Sequence, residues 1–323
     1  MRASFVIFTV MLAATMAMAK PTPNQASSHG QAPAQSGTQT QAPAASSSSS
    51  QAATPAAGAH KMLQAKSQDE MKAYQDAAGK TDPGQAEAAA NAFATKYPTS
   101  DLRAALYVRT MNLYGQANNS EKVIEMGRKA IAADPTNPVP LVQVGSALVE
   151  GTRDTDMDRD QRLAEAAKDA QGAIDNINNL MAPPDAPADR VAAVKASIVT
   201  MAYDTRGMVN LNKKDYPAAE QQFLKAVDAS KSQPEAVVFL RLSVAQDQQK
   251  EYSKALDSAN KAEQYAPAGS AAQNLAKQQQ ARLQKLMAGA TPTPAGGSTP
   301  ATPAPSTPPA QAPAQTPPNT PPH

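Results

Sequence analysis

Residues 154–165 read DTDMDRDQRLAE, and their carboxylates are spaced like the ligands of a calcium loop. With Asp154 as position one, Asp156 stands at three, Asp158 at five and Glu165 at twelve, all ligand positions in a helix–loop–helix site. Such a loop needs glycine at position six for its sharp turn, and this chain has Arg159 there. Position eight, usually the apolar residue that couples paired loops, is Gln161, and there is no second loop for it to pair with. Arg153, Arg159 and Arg162 interleave with the acids and offset much of their charge. A helix start accounts for more of the pattern. Asp158 as N-cap with Gln161 three residues on makes a capping box, and the acidic cluster sits at the positive end of the helix dipole. No metal is expected.

Other reactive side chains are scarce. The three histidines are His29, His60 and His323, all outside residues 61–288, and the chain has no Cys and no Trp. Between 61 and 288 this removes the commonest general base, the thiol nucleophile, disulfides and most zinc, copper or haem ligation. Gly289 and the Gly296-Gly297 pair sit in a proline-rich stretch rather than a phosphate-cradling loop. The acidic residues follow solvent-facing helical spacing, unlike a hydrolase's carboxylate pair. The expectation is a non-enzymatic protein without a cofactor.

Charge narrows the partners. Of 30 Lys and Arg, only Arg2 and Lys20 lie outside 61–288, so 28 cations there face all 28 Asp and Glu. A nucleic-acid binder needs a surplus of cations to displace counterions from phosphates, and none exists here.

Composition divides the chain. Residues 1–19, MRASFVIFTVMLAATMAMA, carry one cation, a short apolar run and Ala17-Met18-Ala19, the pattern of a signal peptide with its cleavage site. The run is shorter than the about 20 apolar residues that span a bilayer, and no cysteine follows it to carry a lipid. The mature chain is expected to be exported, periplasmic or secreted, without a membrane span. Residues 20–60 are mostly Gln, Ala, Ser, Thr and Pro, and residues 289–323 hold 12 of the 28 prolines. Neither stretch has the apolar mass to offset its ordering entropy, so both read as disordered, the second as a stiff polyproline spacer.

Between 61 and 288 small residues recur at helical spacing. Ser243 is followed by Ala255, Ala259 and Ala262, and Gly207 by Ala219, Phe223 and Ala226. Met111 is followed by Val123, Gly127 and Ala130, and Tyr74 by Ala86, Ala90 and Phe93. In a further copy Gly145 is followed by Ala166, Ala170 and Ala173, with a longer first gap that contains the aspartate stretch. Pro98, Pro135 and Pro267 close the copies beginning at Tyr74, Met111 and Ser243. Antiparallel helices cross closely only where both carry little bulk, and knobs such as Leu106, Tyr107, Ile124, Phe239, Leu242 and Leu256 would fill the remainder.

This spacing resembles the tetratricopeptide repeat, a helix–turn–helix unit of about 34 residues with small residues at fixed positions and a closing proline. The resemblance covers residues 66–268 as five copies starting near Ser67, Ala104, Pro138, Thr200 and Ala236. Tyr203 and Phe239 take the place of the family's usual tryptophan, and its eleventh-position tyrosine appears only as Tyr114. Ser270–Met287 reads as an additional helix with Ser270 as N-cap. Its Ala272, Leu275, Ala276, Leu283 and Leu286 would cover the last repeat's open face. The fold implied is an all-α solenoid of five such helix pairs with a C-terminal covering helix, flanked by disordered tails.

What the resemblance implies about function is binding of protein or peptide segments on the concave face. By the family's register that face is lined here by Arg109, Asn112, Gln116, Gln143, Asp204, Thr205, Met208, Arg241, Val244 and Gln248. Arg109 and Arg241, long planar donors, are the residues suited to fixing a peptide carbonyl or carboxylate. Arg109 and Asn112 are only a fragment of the family's carboxylate clamp, so a C-terminal carboxylate ligand is not implied. Lys96–Tyr107, KYPTSDLRAALY, resembles repeat junctions of envelope-assembly members, which points to a scaffold or adaptor in a bacterial cell envelope. The other reading is a recognition module for a small ligand or glycan, with the tails as wall-spanning spacers.

Overall fold

The computed structural model describes residues 64–182 and 185–290. The signal peptide expected over 1–19, the linker over 20–60 and the tail from 291 onward lie outside the described residues. Among the described residues there are eleven α-helices and a 3₁₀ turn, Ile177–Asn179, and no strand. The helices are α1 (Gln68–Ala78), α2 (Pro83–Lys96), α3 (Leu102–Gln116), α4 (Ser120–Ala133), α5 (Pro138–Gly151) and α6 (Arg159–Asp175). They continue with α7 (Ala188–Asn212), α8 (Tyr216–Ala229), α9 (Ala236–Gln248), α10 (Tyr252–Tyr265) and α11 (Ala271–Ala290).

Local chemistry starts these helices. The side chains of Ser67, Asp82, Asn119, Asn137 and Asp215 each accept a backbone N–H of the first turn that would otherwise lack a partner. Pro83 and Pro138 occupy the first helical position, where a missing N–H costs nothing. At the other end, α3, α7 and α9 stop on a left-handed residue, Asn118, Lys214 and Lys250. In each case the next residue's N–H reaches back to a carbonyl five positions earlier, as in Asp215 to Asn210.

Consecutive helices pair as α1–α2, α3–α4, α5–α6, α7–α8 and α9–α10, and α11 packs against both α9 and α10. The first helices approach one another along the stack, α1 with α3, α5 with α7, α7 with α9, and α9 with α11. Long side chains connect the second helices: Lys122 of α4 meets Glu87 of α2 at 3.0 Å, and Arg128 of α4 meets Glu165 of α6 at 2.7 Å. A stack in which one row is closer than the other is a curved solenoid, with first helices inside and second helices outside.

The small-residue spacing marks the seams of the pairs. Ala166, Ala170 and Ala173, Ala219 and Ala226, and Ala255, Ala259 and Ala262 have no exposed surface. At Gly207 a Cβ would lie 2.4 Å from the Phe223 ring, so the ring occupies the space that any larger residue would need. At the equivalent crossing of the last pair the Ser243 hydroxyl donates to the Ala255 carbonyl at 2.7 Å. The knobs Leu106, Tyr107, Phe239 and Leu242 are buried, and Ile124 and Leu256 pack half-buried against the same clusters.

Three features differ from the sequence reading. Helix α7 starts at Ala188, well before Thr200. No proline or glycine interrupts it before Gly207, and Val191 and Val194 in its extension pack on the cluster of Leu141, Leu180 and Ile198. Asp158 does precede α6, but its side chain makes no capping hydrogen bond, so the expected capping box with Gln161 does not form. The loop is held differently: Asp156 accepts the Arg153 N–H at 2.8 Å, and Arg159 bonds the Asn212 carbonyl of the neighbouring pair. Finally, α11 covers the last pair with Ala276 and Leu283, both fully buried, while Leu275 and Leu286 stay 51% and 37% exposed. Ser270 does cap it, accepting the Gln273 N–H at 3.2 Å.

Candidate functional site: the inner face of the solenoid

The inner row brings α5, α7 and α9 side by side, and their polar side chains converge at one place. Arg241 of α9 reaches across both neighbours. Its guanidinium pairs with Asp204 of α7 and, at 3.2 Å, with Glu150 at the end of α5. The side chains of Arg241, Asp204 and Glu150 are 22%, 13% and 27% exposed, so the cluster is shielded but open to solvent on one side. Glu235, the residue before α9, adds a third carboxylate that feels the charges of Asp204 and Arg241. One cation is thus paired with two anions and lies near a third.

The imbalance shows in the acids themselves. Burial pushes the Asp204 carboxyl above its ordinary range, Arg241 pulls against it, and the Glu150 charge adds to the rise. Glu235 is also pushed up, first by partial burial and then by Asp204. Asp204 Oδ2 is occupied by Arg241, but its buried Oδ1 has no hydrogen-bond partner. The Thr200 and Thr205 hydroxyls of the same helix are likewise buried without a partner. Most buried polar atoms in folded proteins are paired, so this concentration on one helix stands out.

The other lining positions are spread along the row. Arg109 of α3 is half-buried, its Nη2 donating to the Lys80 carbonyl in the α1–α2 turn at 3.1 Å. Asn112 and Gln143 are half-buried, and Gln116 and Gln248 are exposed. Met208 packs against two apolar clusters, those of Val144 and Leu148 and of Phe223 and Leu242, so much of its surface serves the core. Val244 is half-buried. The structure therefore unites Asp204 with Arg241 and leaves Arg109 apart. Both arginines, expected as donors to a ligand, already donate within the fold.

Sequence reasoning passed over several members of the cluster. Glu150 stands at the thirteenth position from Pro138, a lining position of the same register, and could have been found there. Glu235 precedes its helix, and no helical register predicts its place. A second ion pair, Asp247 with Arg282, joins α9 to α11, with Gln279 Nε2 donating to Asp247 at 3.2 Å. It became visible only once α11 was docked.

The aspartate stretch is elsewhere. Asp154 and Asp160 both pair with Arg159, at 3.3 and 2.9 Å. Among the described residues no three His, Cys, Asp or Glu are placed to hold a metal ion. Likewise, among the described residues no helix is long and apolar enough to cross a membrane.

No protein-family model matches the chain, and no curated protein matches it. Among solved structures it is similar to MamA, at 17% identity and a TM-score of 0.41, over 62% of this chain and 95% of that one. It is also similar to PilF of Pseudomonas aeruginosa, at 16% identity and a TM-score of 0.44, over 69% and 95%. BtubC of P. vanneervenii aligns at 14% identity and 0.38, over 73% and 99%. Likeness at this level says nothing of function.

Proposed function

We propose that the chain is a non-enzymatic interaction scaffold of tetratricopeptide type that holds an extended segment of a protein partner along its inner face. The observation that carries this is the row of first helices itself. The first helices of the tandem pairs line one side of the stack, and half-buried polar groups converge there, at α5, α7 and α9, into a cluster that the fold leaves unbalanced. A solenoid whose only task was to fold would gain from apolar or fully paired groups there.

The setting belongs to the same proposal. With residues 1–19 as a cleaved signal peptide the protein works outside the cytoplasm, as an adaptor in a bacterial cell envelope. N-terminal sequencing of the mature chain should then begin at Lys20, and a start at Met1 overturns the export reading.

Site-specific photo-crosslinking tests the inner face. The cross-linker replaces Gln116, Gln143 or Gln248 on the inner row, or Asp228 or Lys261 on the outer helices α8 and α10, in the full chain in its native host. Discrete protein adducts from the inner positions and none from the outer ones are expected. Adducts from the outer positions alone would overturn the reading.

A further inference from the structure

The cluster between α5, α7 and α9 has a feature that intramolecular pairing does not explain. Glu150 and Asp204 come from separate helices and are both paired with one cation, Arg241, and Glu235 from a third element lies close enough to feel the charges of Asp204 and Arg241. Other arginines along this row are engaged elsewhere, Arg206 of α7 with Gln171, Arg109 with the Lys80 carbonyl and Arg282 with Asp247. Asp204 keeps only 9% exposure, yet its Oδ1 has no donor. An ionised carboxylate can only accept hydrogen bonds, so what the site lacks is both a donor and positive charge.

Those two deficits define the missing group. Water supplies a donor but no charge. A bound metal would supply charge, but among the described residues no three carboxylates are close enough to ligate one. An ammonium or guanidinium supplies both, with several N–H groups to share among carboxylates that do not converge on a point. Access fits as well. Glu150 and Glu235 both reach solvent, and Val237, two residues beyond Glu235 on the first turn of α9, is 43% exposed, apolar surface along which a long aliphatic stem can lie.

We infer that this part of the inner face is a subsite for a positively charged side chain, lysine or arginine, of the bound segment. The inference rests on the inner-face reading above and names the chemistry of its partner. The segment crosses the groove, its cation settles between Glu150, Asp204 and Glu235, and Arg241 holds the acids in place as a positioning residue.

Fluorescence anisotropy on the full chain tests it with three labelled decapeptides of Gly, Ser and Ala, identical except for two central residues: lysine, glutamine or glutamate. The lysine peptide should bind about tenfold more tightly than the glutamine peptide, and the glutamate peptide most weakly. The double variant Glu150→Gln/Glu235→Gln should lose that tenfold preference, with unchanged circular dichroism. Raising salt from about 50 to 300 mM should weaken only the lysine peptide's binding to the wild-type chain, a measurement that needs no variant to fold. Equal affinity for the lysine and glutamine peptides, absence of binding by both included, overturns the subsite. So does a folded double variant that keeps the preference. Inner-position cross-links that persist alongside such a result would leave the scaffold reading standing and remove only its basic ligand.

Discussion

The third and fifth helix pairs solve the same packing problem with different parts. In the fifth, α9 passes to α10 through Gln249, Lys250 and Glu251, with Lys250 left-handed at φ 63°. In the third, α5 passes to α6 through the longer stretch from Thr152 to Asp158, tied down by the Thr152 hydroxyl on the Leu148 carbonyl at 2.7 Å and by Arg159 on the next pair. Despite the different connections both crossings are close: a Cβ at Gly145 would lie 3.0 Å from the Ala166 carbonyl, and the Ser243 hydroxyl reaches the Ala255 carbonyl directly. Loop length therefore does not set the pairing. The seam does, and the loop adapts to it. The pairs differ again one turn along the second helix, where the third carries Asp169 and the fifth Ser258. Ser258 donates to Gln246 at 2.7 Å, whereas burial, reinforced by Glu165, pushes the Asp169 carboxyl up to about 6.

The largest break is expected at the third seam. Gly145→Val adds methyls where the first carbon already presses on the backbone of Ala166 and Ala170. Backbone gives way less readily than a side chain, so about 3 kcal/mol should be lost, a fall in melting temperature of roughly 10 °C. A variant that melts with the wild type would mean the seam is not what holds the pair.

Next comes Asp169, and its effect should depend on pH. Its folded pKa of about 6 lies above the ordinary 3.8, so the native state favours the protonated acid. That preference stabilises fully below about pH 4 and is lost as pH rises through 6. Asp169→Asn, which cannot ionise, should thus be more stable than wild type at pH 7, by about 2 kcal/mol. The two melting curves should converge near pH 4, and a difference that ignores pH would show that Asp169 is not the titrating group.

A smaller effect is expected at the fifth seam. Ser243→Ala keeps the small size but removes the bond to Ala255, costing about 1 kcal/mol, measurable by urea denaturation. Comparing this with Gly145→Val separates bulk from hydrogen bonding at equivalent crossings. The smallest effect has the opposite sign. Lys250→Gly relieves a left-handed side-chain residue at the end of α9, at some cost in unfolded-chain entropy, and should stabilise by about 0.5 kcal/mol. A loss of stability there would mean that the lysine stem contributes contacts outweighing its strain.

The seams were legible in the amino-acid order because they follow from local periodicity. Gly145 and Ser243 each precede three alanines at spacings of four and three, Gly207 precedes Ala219, Phe223 and Ala226 at the same spacings, and a helix puts such residues on one face wherever it is placed. The cap of α11 was legible at Ser270, whose partner Gln273 is a neighbour in sequence. Asp158 failed as a cap because the long loop turns its backbone away from the extended form a capping residue usually adopts.

Tertiary structure decided the rest. Helix α7 runs back to Ala188 because Val191 and Val194 find Leu141 and Leu180 to cover them, contacts between residues far apart in the chain. The sequence assigned Asp204 and Arg241 to one face but not to each other, since their meeting depends on how α7 and α9 are stacked. Its register puts Glu150 on that face as well, but it could not show that Glu150 would pair with Arg241, that Glu235 would lie near them, or that Asp204 Oδ1 would be left without a donor. Periodicity within a helix fixes which side chains share a face. Only packing between helices fixes which charges share a site, and so where a partner's charge is needed.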